Sequence, residues 1–177
     1  MIISAPEIMH KDTALIRAVA FDFDGVFTDN RVILDTNGNE LVSCNRYDGY
    51  GISSLREAGI HVCVITSEVV PLAAARCKKL GLRHFSACDD KLEILNQWLN
   101  ECAVGISQVA YLGNDINDLP CLRNVGFPFC PSDAHKSVRP YSTILKTKGG
   151  QGVVRELCDM ITDARYALHV HHSNQYL

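Results

Sequence analysis

Two aspartates near the start of the chain, Asp22 and Asp24, stand two residues apart in the segment DFDGVFT at 22–28. They lie at the end of an apolar run, 17–23, that predicts a buried strand, and side chains two apart on a strand point to the same side. Carboxylates on one side repel each other unless a cation or a shared proton compensates. The pair is therefore a candidate metal or acid–base site, although such a pair alone is equally typical of a turn or a helix cap.

Further polar clusters stand beside later apolar runs of the chain. They are TSE at 66–68, Lys91 and GNDIND at 113–118. Each has a plain structural explanation by itself, because Thr66 and Asp118 could cap helices and Lys91 could be a solvated surface charge. The signal is their order, since in open α/β sheets ligands bind outside the carboxyl ends of the strands. Hard oxygen ligands that converge on one sheet edge suit Mg²⁺, which keeps waters and shares a phosphate.

The elements that position these clusters alternate between short apolar strands and amphipathic helices. The predicted strands are 17–23, 61–66, 83–87, 108–112, 127–130 and 143–146, and the predicted helices are 50–58, 69–80, 91–102, 118–125 and 151–168. A β-hairpin is predicted at 31–45 around the turn pair Asn37-Gly38. Alternating strands and helices indicate an α/β fold, a Rossmann-like doubly wound and mostly parallel sheet.

The chain is predicted to hold one domain. Neither a repeat nor a low-complexity linker divides it, so we expect an N-terminal extension at 1–17, a domain at 18–168 and a loose C-terminal tail at 169–177. A net charge of −3 and a sequence pI near 6.1 argue against a nucleic-acid or anionic-membrane partner. The start lacks the features of a secretory signal, which predicts a cytoplasmic protein. Eight cysteines without a paired spacing indicate reduced thiols rather than a zinc site.

Together the motifs DFDGVFT, VITS at 64–67, Lys91 and GNDIND resemble those of the haloacid dehalogenase-like phosphotransferase superfamily over about residues 18–160. Within it the chain is most similar to a small branch without a cap domain, which holds 3-deoxy-octulosonate 8-phosphate phosphatases and sialic-acid-type 9-phosphate phosphatases. That similarity rests on VILDTNGNELVS in the hairpin, YDGYGISSLREAGI at 47–60 and GGQGVVRE at 149–156. The resemblance implies a phosphatase with a protruding hairpin and no cap domain.

The resemblance also implies a role for each motif residue. Asp22 is the nucleophile that forms an aspartyl-phosphate, and Asp24 is the general acid and then the base. Thr66 donates its hydroxyl to the phosphoryl oxygens, and Lys91 neutralises negative charge there. Mg²⁺ is held by Asp22, by the main-chain carbonyl of Asp24 and by the GNDIND loop.

One position departs from the pattern of the relatives. They often carry GDD where this chain has Gly113-Asn114-Asp115, and the first acid of that motif commonly binds the metal. Either Asn114 ligates through its amide oxygen with Asp115 supplying charge behind it, or Asp115 takes over as the ligand. The sequence leaves both alternatives open.

The predicted substrate is a keto-sugar acid phosphate, most specifically a nine-carbon 9-phosphate. The octulosonate enzymes tend to have Gly-Arg where this chain has Ser67-Glu68, and the nine-carbon enzymes resemble the spacing of Glu68, Arg76 and Lys79 more closely. A pair such as Arg76 and Lys79 can bind a carboxylate. The predicted substrate-binding set is completed by Thr28 and Ser67. A solvated helix face is the competing interpretation of the charged residues.

Two alternatives to this function stand beside it. One is 3-deoxy-octulosonate 8-phosphate as the substrate, and the other is a catalytically weak oligomerisation module related to sugar-nucleotide synthetases. Relatives in the branch are tetrameric, and a two-stranded apolar ribbon is marginal alone in water, so we expect a homotetramer with active sites at subunit interfaces. The apolar hairpin residues behind this expectation are Val32, Leu34, Leu41 and Val42.

Overall fold

A six-stranded, entirely parallel sheet forms the centre of the molecule. The computed structural model describes residues 13–68 and 71–173, with the backbone alone over 169–173. The strands are β1 (Ala18–Phe21), β2 (Ile33–Leu34), β3 (Glu40–Leu41), β4 (His61–Ile65), β5 (Arg83–Phe85), β6 (Val109–Leu112), β7 (Phe127–Cys130) and β8 (Thr143–Ile144). The sheet order is β5-β4-β1-β6-β7-β8, and β2 and β3 form a separate ribbon. The predicted α/β class with a protruding hairpin is confirmed.

Helices cover both faces of this sheet. They are α1 (Tyr47–Glu57), α2 (Pro71–Leu80), α3 (Lys91–Cys102), α4 (Leu119–Leu122) and α5 (Val153–Ser173), with 3₁₀ turns at Thr13–Leu15, Ile106–Gln108, Ile116–Asp118 and Arg139–Tyr141. One core layer, containing Phe21, Leu55 and Leu157, joins the sheet to α1 and α5. The other layer, containing Leu95 and Trp98, joins it to α3. Every residue of β1 and β6 is buried, so the central strands are apolar on both faces.

The hairpin leaves the sheet directly after the turn at 22–28. Its two strands are antiparallel and pair Ile33 with Leu41 and Leu34 with Glu40, so the paired part is shorter than the predicted hairpin. The carboxylate of Asp35 accepts hydrogen bonds from the main-chain N–H groups of Asn37 and Asn39 at 2.8 Å each, which fixes the turn. The hairpin therefore has a defined turn, and Val32, Leu34 and Leu41 are exposed in the described part of the chain. The expectation of an uncovered ribbon is wrong for Val42, which points to the opposite face from Leu41 and packs half-buried against the core.

Several boundaries differ from the prediction. α1 begins at Tyr47, three residues early, because the Asn45 side chain accepts a hydrogen bond from Tyr47 N and starts the turn there. α5 continues to Ser173, so the prediction of a loose tail from residue 169 is wrong over 169–173. Residues 1–12 of the predicted extension, 174–177 of the tail and 69–70 of the predicted second helix lie outside the described residues.

The cysteines and the helices bear on the composition of the chain. All eight cysteines are free, six buried and two half-buried. Among the described residues no helix is long and apolar enough to span a membrane. The cytoplasmic location stays a prediction.

Candidate active site

Asp22 lies directly after β1 and is almost fully buried. Its main-chain N–H donates to Leu112 O on β6 at 2.9 Å, and its Oδ1 accepts from Phe23 N at 2.7 Å. The same oxygen pairs with Lys91 Nζ at 2.8 Å. Burial first and the nearby Asp118 second raise the pKa of Asp22, while Lys91 opposes them. The carboxylate is thus held at the sheet edge by two donors, and a further cation would stabilise its charged form.

A tight turn carries the chain from Asp22 past Asp24. Gly25 has φ +74°, a conformation that favours glycine, and a Cβ there would come within 1.9 Å of the Asn114 amide and would displace it. Thr28 Oγ1 accepts from Gly25 N at 3.2 Å and donates to Asp24 Oδ1 at 3.5 Å. Thr28 is fully buried. The structure therefore does not bring this predicted substrate-binding residue to the cleft and shows it supporting the turn instead.

Asp24 is half-buried and points into the cleft. Its Oδ2 is buried without a hydrogen-bond partner among the described residues. Burial first and the Glu68 carboxylate second raise the pKa of Asp24. A raised pKa favours the protonated carboxyl, which is the form that a general acid must have before the reaction.

Lys91 joins two carboxylates beneath the cleft. It is the first residue of α3, whose N-cap Asp90 accepts from Glu93 N at 3.0 Å. Its Nζ lies 2.8 Å from both Asp22 Oδ1 and Asp118 Oδ1. Burial opposes the charge of Lys91, but the two carboxylates outweigh burial and raise its pKa. The ammonium group therefore stays charged while buried.

Asp118 organises the site through several hydrogen bonds rather than only capping a helix. Its Oδ1 also accepts from the Tyr111 hydroxyl at 2.8 Å, and its Oδ2 accepts from Asn114 N at 2.8 Å and Asp115 N at 3.2 Å. It thus fixes both Lys91 and the backbone of the loop at 113–118. Its place as the second acid of GNDIND was the available signal, but by sequence it could equally be a cap.

Asn114, and not Asp115, faces the aspartate pair. The end of its amide lies 2.9 Å from the main-chain oxygen of Asp24 and 3.2 Å from Asp22 Oδ2. Asp115 has a half-exposed side chain that accepts from Ile116 N at 2.7 Å and approaches His135 Nδ1 at 4.0 Å. Of the two candidate metal ligands that the sequence left open, Asn114 therefore lies beside the aspartates, whereas the Asp115 side chain contacts Ile116 N and His135.

The donors around Asn114 fit a hard divalent cation. With the amide oxygen turned inward, it lies near the oxygens of Asp22 and Asp24 without a donor between them, an arrangement that a cation makes favourable. With the nitrogen inward, the amide would donate to both neighbours instead. The described residues contain no cluster of three His, Cys, Asp or Glu side chains for a metal, because this set uses a main-chain carbonyl and an amide.

One cleft of ≈ 370 Å³ joins most of the predicted residues at the carboxyl ends of β1, β4 and β6. Its lining consists of Asp22, Asp24, Asn30, Thr66, Ser67, Glu68, Asn114, Asp115 and Asn117. Thr66 is buried after β4, and its Oγ1 accepts from Glu68 N at 3.1 Å. Asn117 donates to Ser67 Oγ at 3.3 Å across the rim. Asn30 was not predicted, since a single asparagine in a loop carries no distinguishing signal. Asn117 lies inside the GNDIND motif but was not itself among the predicted site residues.

Arg76 and Lys79 lie elsewhere. They line a second cleft of ≈ 390 Å³ between α1 and α2, together with Arg46, Gly49, Tyr50, Ser53 and Leu80. Arg76 donates from Nη2 to Asn45 O at 2.7 Å. The structure thus does not place this pair in the cleft that contains Asp22, although Glu68 does line that cleft.

Several known proteins are similar to this chain in sequence or structure. No family model matches the chain. The chain is similar to 3-deoxy-D-manno-octulosonate 8-phosphate phosphatase KdsC of Escherichia coli K12, 35% identical over 148 residues, which are 82% of this chain and 79% of that protein. A putative HAD family hydrolase structure from Streptomyces avermitilis matches with TM-score 0.79 and 40% identity, over 82% of this chain and 90% of that one. The structure of 3-deoxy-D-manno-octulosonate 8-phosphate phosphatase from Moraxella catarrhalis, in complex with magnesium, phosphate and KDO, matches with TM-score 0.86 and 28% identity over 94% and 97%.

Proposed function

The chain belongs to the KdsC-like phosphatases of the haloacid dehalogenase superfamily, and from that premise we propose that it hydrolyses 3-deoxy-octulosonate 8-phosphate. The observation that best supports this reaction is the buried ion pair of Lys91 with Asp22. Asp22 lines the same cleft as Asp24. The similar KdsC proteins are named for the eight-carbon substrate. The expectation of a nine-carbon 9-phosphate therefore lacks support, and the octulosonate alternative replaces it.

The proposed reaction has two steps. A carboxylate oxygen of Asp22 forms a bond to phosphorus while the bond from phosphorus to the sugar oxygen breaks, and Asp24 gives its proton to that oxygen. Asp24 then takes a proton from water as the water attacks phosphorus, which releases phosphate and restores Asp22. Thr66 donates its hydroxyl to the phosphoryl oxygens. Lys91, already charged beside Asp22, balances the negative charge that both groups carry.

The metal requirement follows from the oxygens around Asn114. We propose that Asp22, the main-chain oxygen of Asp24 and Asn114 hold Mg²⁺, with Asp115 outside this set. Bound there, Mg²⁺ would shield the phosphoryl charge from the anionic nucleophile. Because Asp24 contributes its main-chain oxygen, its carboxyl group stays available for proton transfer.

Phosphate release from purified protein tests this function. We expect 3-deoxy-octulosonate 8-phosphate to have a kcat/KM about tenfold or more above that of a nine-carbon 9-phosphate, and chelation of Mg²⁺ to stop both reactions. A preference for the nine-carbon compound would restore the earlier substrate expectation. No release from any phosphomonoester would favour the oligomerisation module.

We also propose that the active unit is a homotetramer. Four hairpin side chains are more than half exposed, namely Val32, Ile33, Leu34 and Leu41. Contacts between hairpins would bury them, which an isolated two-stranded ribbon cannot do. The cleft with Arg76 and Lys79 could then reach the substrate carboxylate in a neighbouring subunit's site, since the described lining of a subunit's own catalytic cleft has no cation.

Light scattering at micromolar concentration tests the assembly. We expect a tetramer for the unaltered chain and a smaller species for Ile33→Asp, with Glu57→Gln on the exposed side of α1 as the control. A fully active monomer of the unaltered chain would contradict the proposal.

A further inference from the structure

A glycine-rich segment, GGQG at 149–152, joins β8 to α5 and has no part in the chemistry proposed above. None of its residues lines the catalytic cleft. The N–H of Gly150 nevertheless donates to Val26 O at 2.9 Å, inside the turn that follows Asp24. The segment therefore contacts the catalytic turn without lining the cleft.

This contact leaves no room for side chains. A Cβ on Gly149 would lie 2.1 Å from Gly25 O, and a Cβ on Gly150 would lie 2.5 Å from Asp29 N. Real Cβ atoms essentially never come within 3.0 Å of such atoms. Because the atoms met are backbone atoms, they cannot rotate away, and a methyl group at either position must displace the turn.

The segment is also held from its other side. Asp133 Oδ1 accepts from Gly149 N at 3.0 Å. Glu156 on α5 accepts from the N–H groups of Lys146 and Thr147 at 3.0 and 2.8 Å, just before the glycines. These anchors keep the glycine backbone against the catalytic turn.

The side chain of Asp24, by contrast, has little direct support. Its one hydrogen bond among the described residues is the long one with Thr28 Oγ1, and Oδ2 has no partner. The position of its carboxyl group therefore depends on the backbone of the turn itself.

We propose that Gly149 and Gly150 are positioning residues, which hold the turn so that Asp24 reaches the oxygen of the leaving group. This inference rests on the role of Asp24 as general acid in the proposed function. It has a specific consequence for kcat/KM, which reports the reaction up to the loss of the leaving group. A displaced acid slows that step only where the leaving group needs a proton, whereas the base role of Asp24 in the second step is common to all substrates.

The test compares two phosphomonoesters with the Gly150→Ala protein. The leaving group of a sugar phosphate is an alkoxide, which is a poor leaving group unless it is protonated. The leaving group of p-nitrophenyl phosphate is a stable phenolate that needs no proton. We expect kcat/KM for the sugar phosphate to fall about tenfold or more, with a much smaller fall for the aryl ester. The fall should lie mainly in kcat, since the glycines do not line the cleft.

Gly59→Ala is the matched control. Gly59 has φ +71° and Gly150 has φ +69°, so both alanines carry the same backbone strain, but a Cβ on Gly59 would meet nothing within 4 Å. We expect Gly59→Ala to leave the ratio of the two substrates unchanged. Asp133→Ala, at an exposed position, removes one anchor and should give the same selective loss as Gly150→Ala, only smaller.

Asp24→Asn separates this inference from the function on which it rests. If Asp24→Asn does not affect the sugar phosphate more than the aryl ester, the acid role assigned to Asp24 is wrong. If it does, but Gly150→Ala lowers both substrates equally, the positioning role is wrong. Should Gly150→Ala not fold, Asp133→Ala decides, and an unchanged substrate ratio there overturns the proposal.

Discussion

The sheet edge around Asp22 and the cleft around Arg76 differ in how far their charged side chains are paired within one chain. At the sheet edge, Lys91 and Asp118 are buried and each makes defined contacts. In the second cleft, Arg46 and Lys79 make no ion pair among the described residues. The nearby hairpin leaves apolar residues exposed.

If the second cleft binds the substrate, as proposed, this difference separates phosphoryl transfer from substrate selection. A charge network that is buried must be paired within the fold, because unpaired buried charges are costly. A surface that selects a substrate can stay unpaired in water until the substrate or another subunit covers it. We therefore expect changes in the buried network of Asp22, Lys91 and Asp118 to affect all substrates and changes at the second cleft to affect only some.

Asp22→Asn should have the largest effect. An amide is nearly isosteric but a poor nucleophile, so we expect turnover of both a sugar phosphate and an aryl phosphate to fall by about 10⁴-fold or more. Circular dichroism should show an intact fold. Near-normal activity with Mg²⁺ present would refute the aspartyl-phosphate mechanism.

Lys91→Met should come next. It leaves the carboxylates of Asp22 and Asp118 buried without their cation, which costs roughly 3–5 kcal/mol in the free energy of unfolding. Denaturant titration measures this cost, and activity on both substrates should be lost. Lys136→Met removes an exposed lysine and is the control, so an equal change in the two variants would show that the buried contacts contribute nothing.

Arg76→Ala should have a selective effect. If the second cleft binds the substrate carboxylate, kcat/KM for the sugar-acid phosphate should fall about ten- to a hundredfold, equivalent to roughly 1.5–3 kcal/mol, while an aryl phosphate is spared. Glu68→Ala should show the same selectivity from the catalytic cleft. Lys78→Ala on the same helix serves as the control, and equal losses on both substrates would indicate a structural role for Arg76.

Asp48→Asn should have the smallest effect and a stabilising one. Asp48 lies in the first turn of α1, and its Oδ1 accepts from Arg155 N of α5 at 3.2 Å, while its Oδ2 is buried without a partner. Burial raises the pKa of Asp48 to about 6. The native state thus binds the proton more tightly than the unfolded state, in which aspartates have a pKa of about 4, so the native state loses stability as the pH rises from about 4 to about 6.

Asparagine does not titrate, so this loss should disappear in the variant. We expect Asp48→Asn to be about 2 kcal/mol more stable than the unaltered chain at pH 7 and to match it at pH 4. Urea titrations at the two pH values measure the difference. A variant that is less stable at pH 7 would show that the ionised carboxylate is needed to cap α5.

The sequence by itself determined the class of the fold and most of the catalytic edge. Alternating apolar strands and amphipathic helices predict a parallel sheet, and the strand-end rule brings Asp22, Asp24, Thr66 and Lys91 to one place. This works because the geometry of a parallel sheet is general, so the order of motifs along the chain already fixes the edge on which they meet.

Only the tertiary structure decided contacts that depend on how loops pack against each other. It turned Asn114 rather than Asp115 toward the aspartates, placed Thr28 beneath the turn and separated Arg76 from the catalytic cleft. Sequence spacing predicts which residues share a helix face but not which element packs against that face. Likewise, the close approach of Gly149 and Gly150 to the catalytic turn is visible only in the tertiary structure.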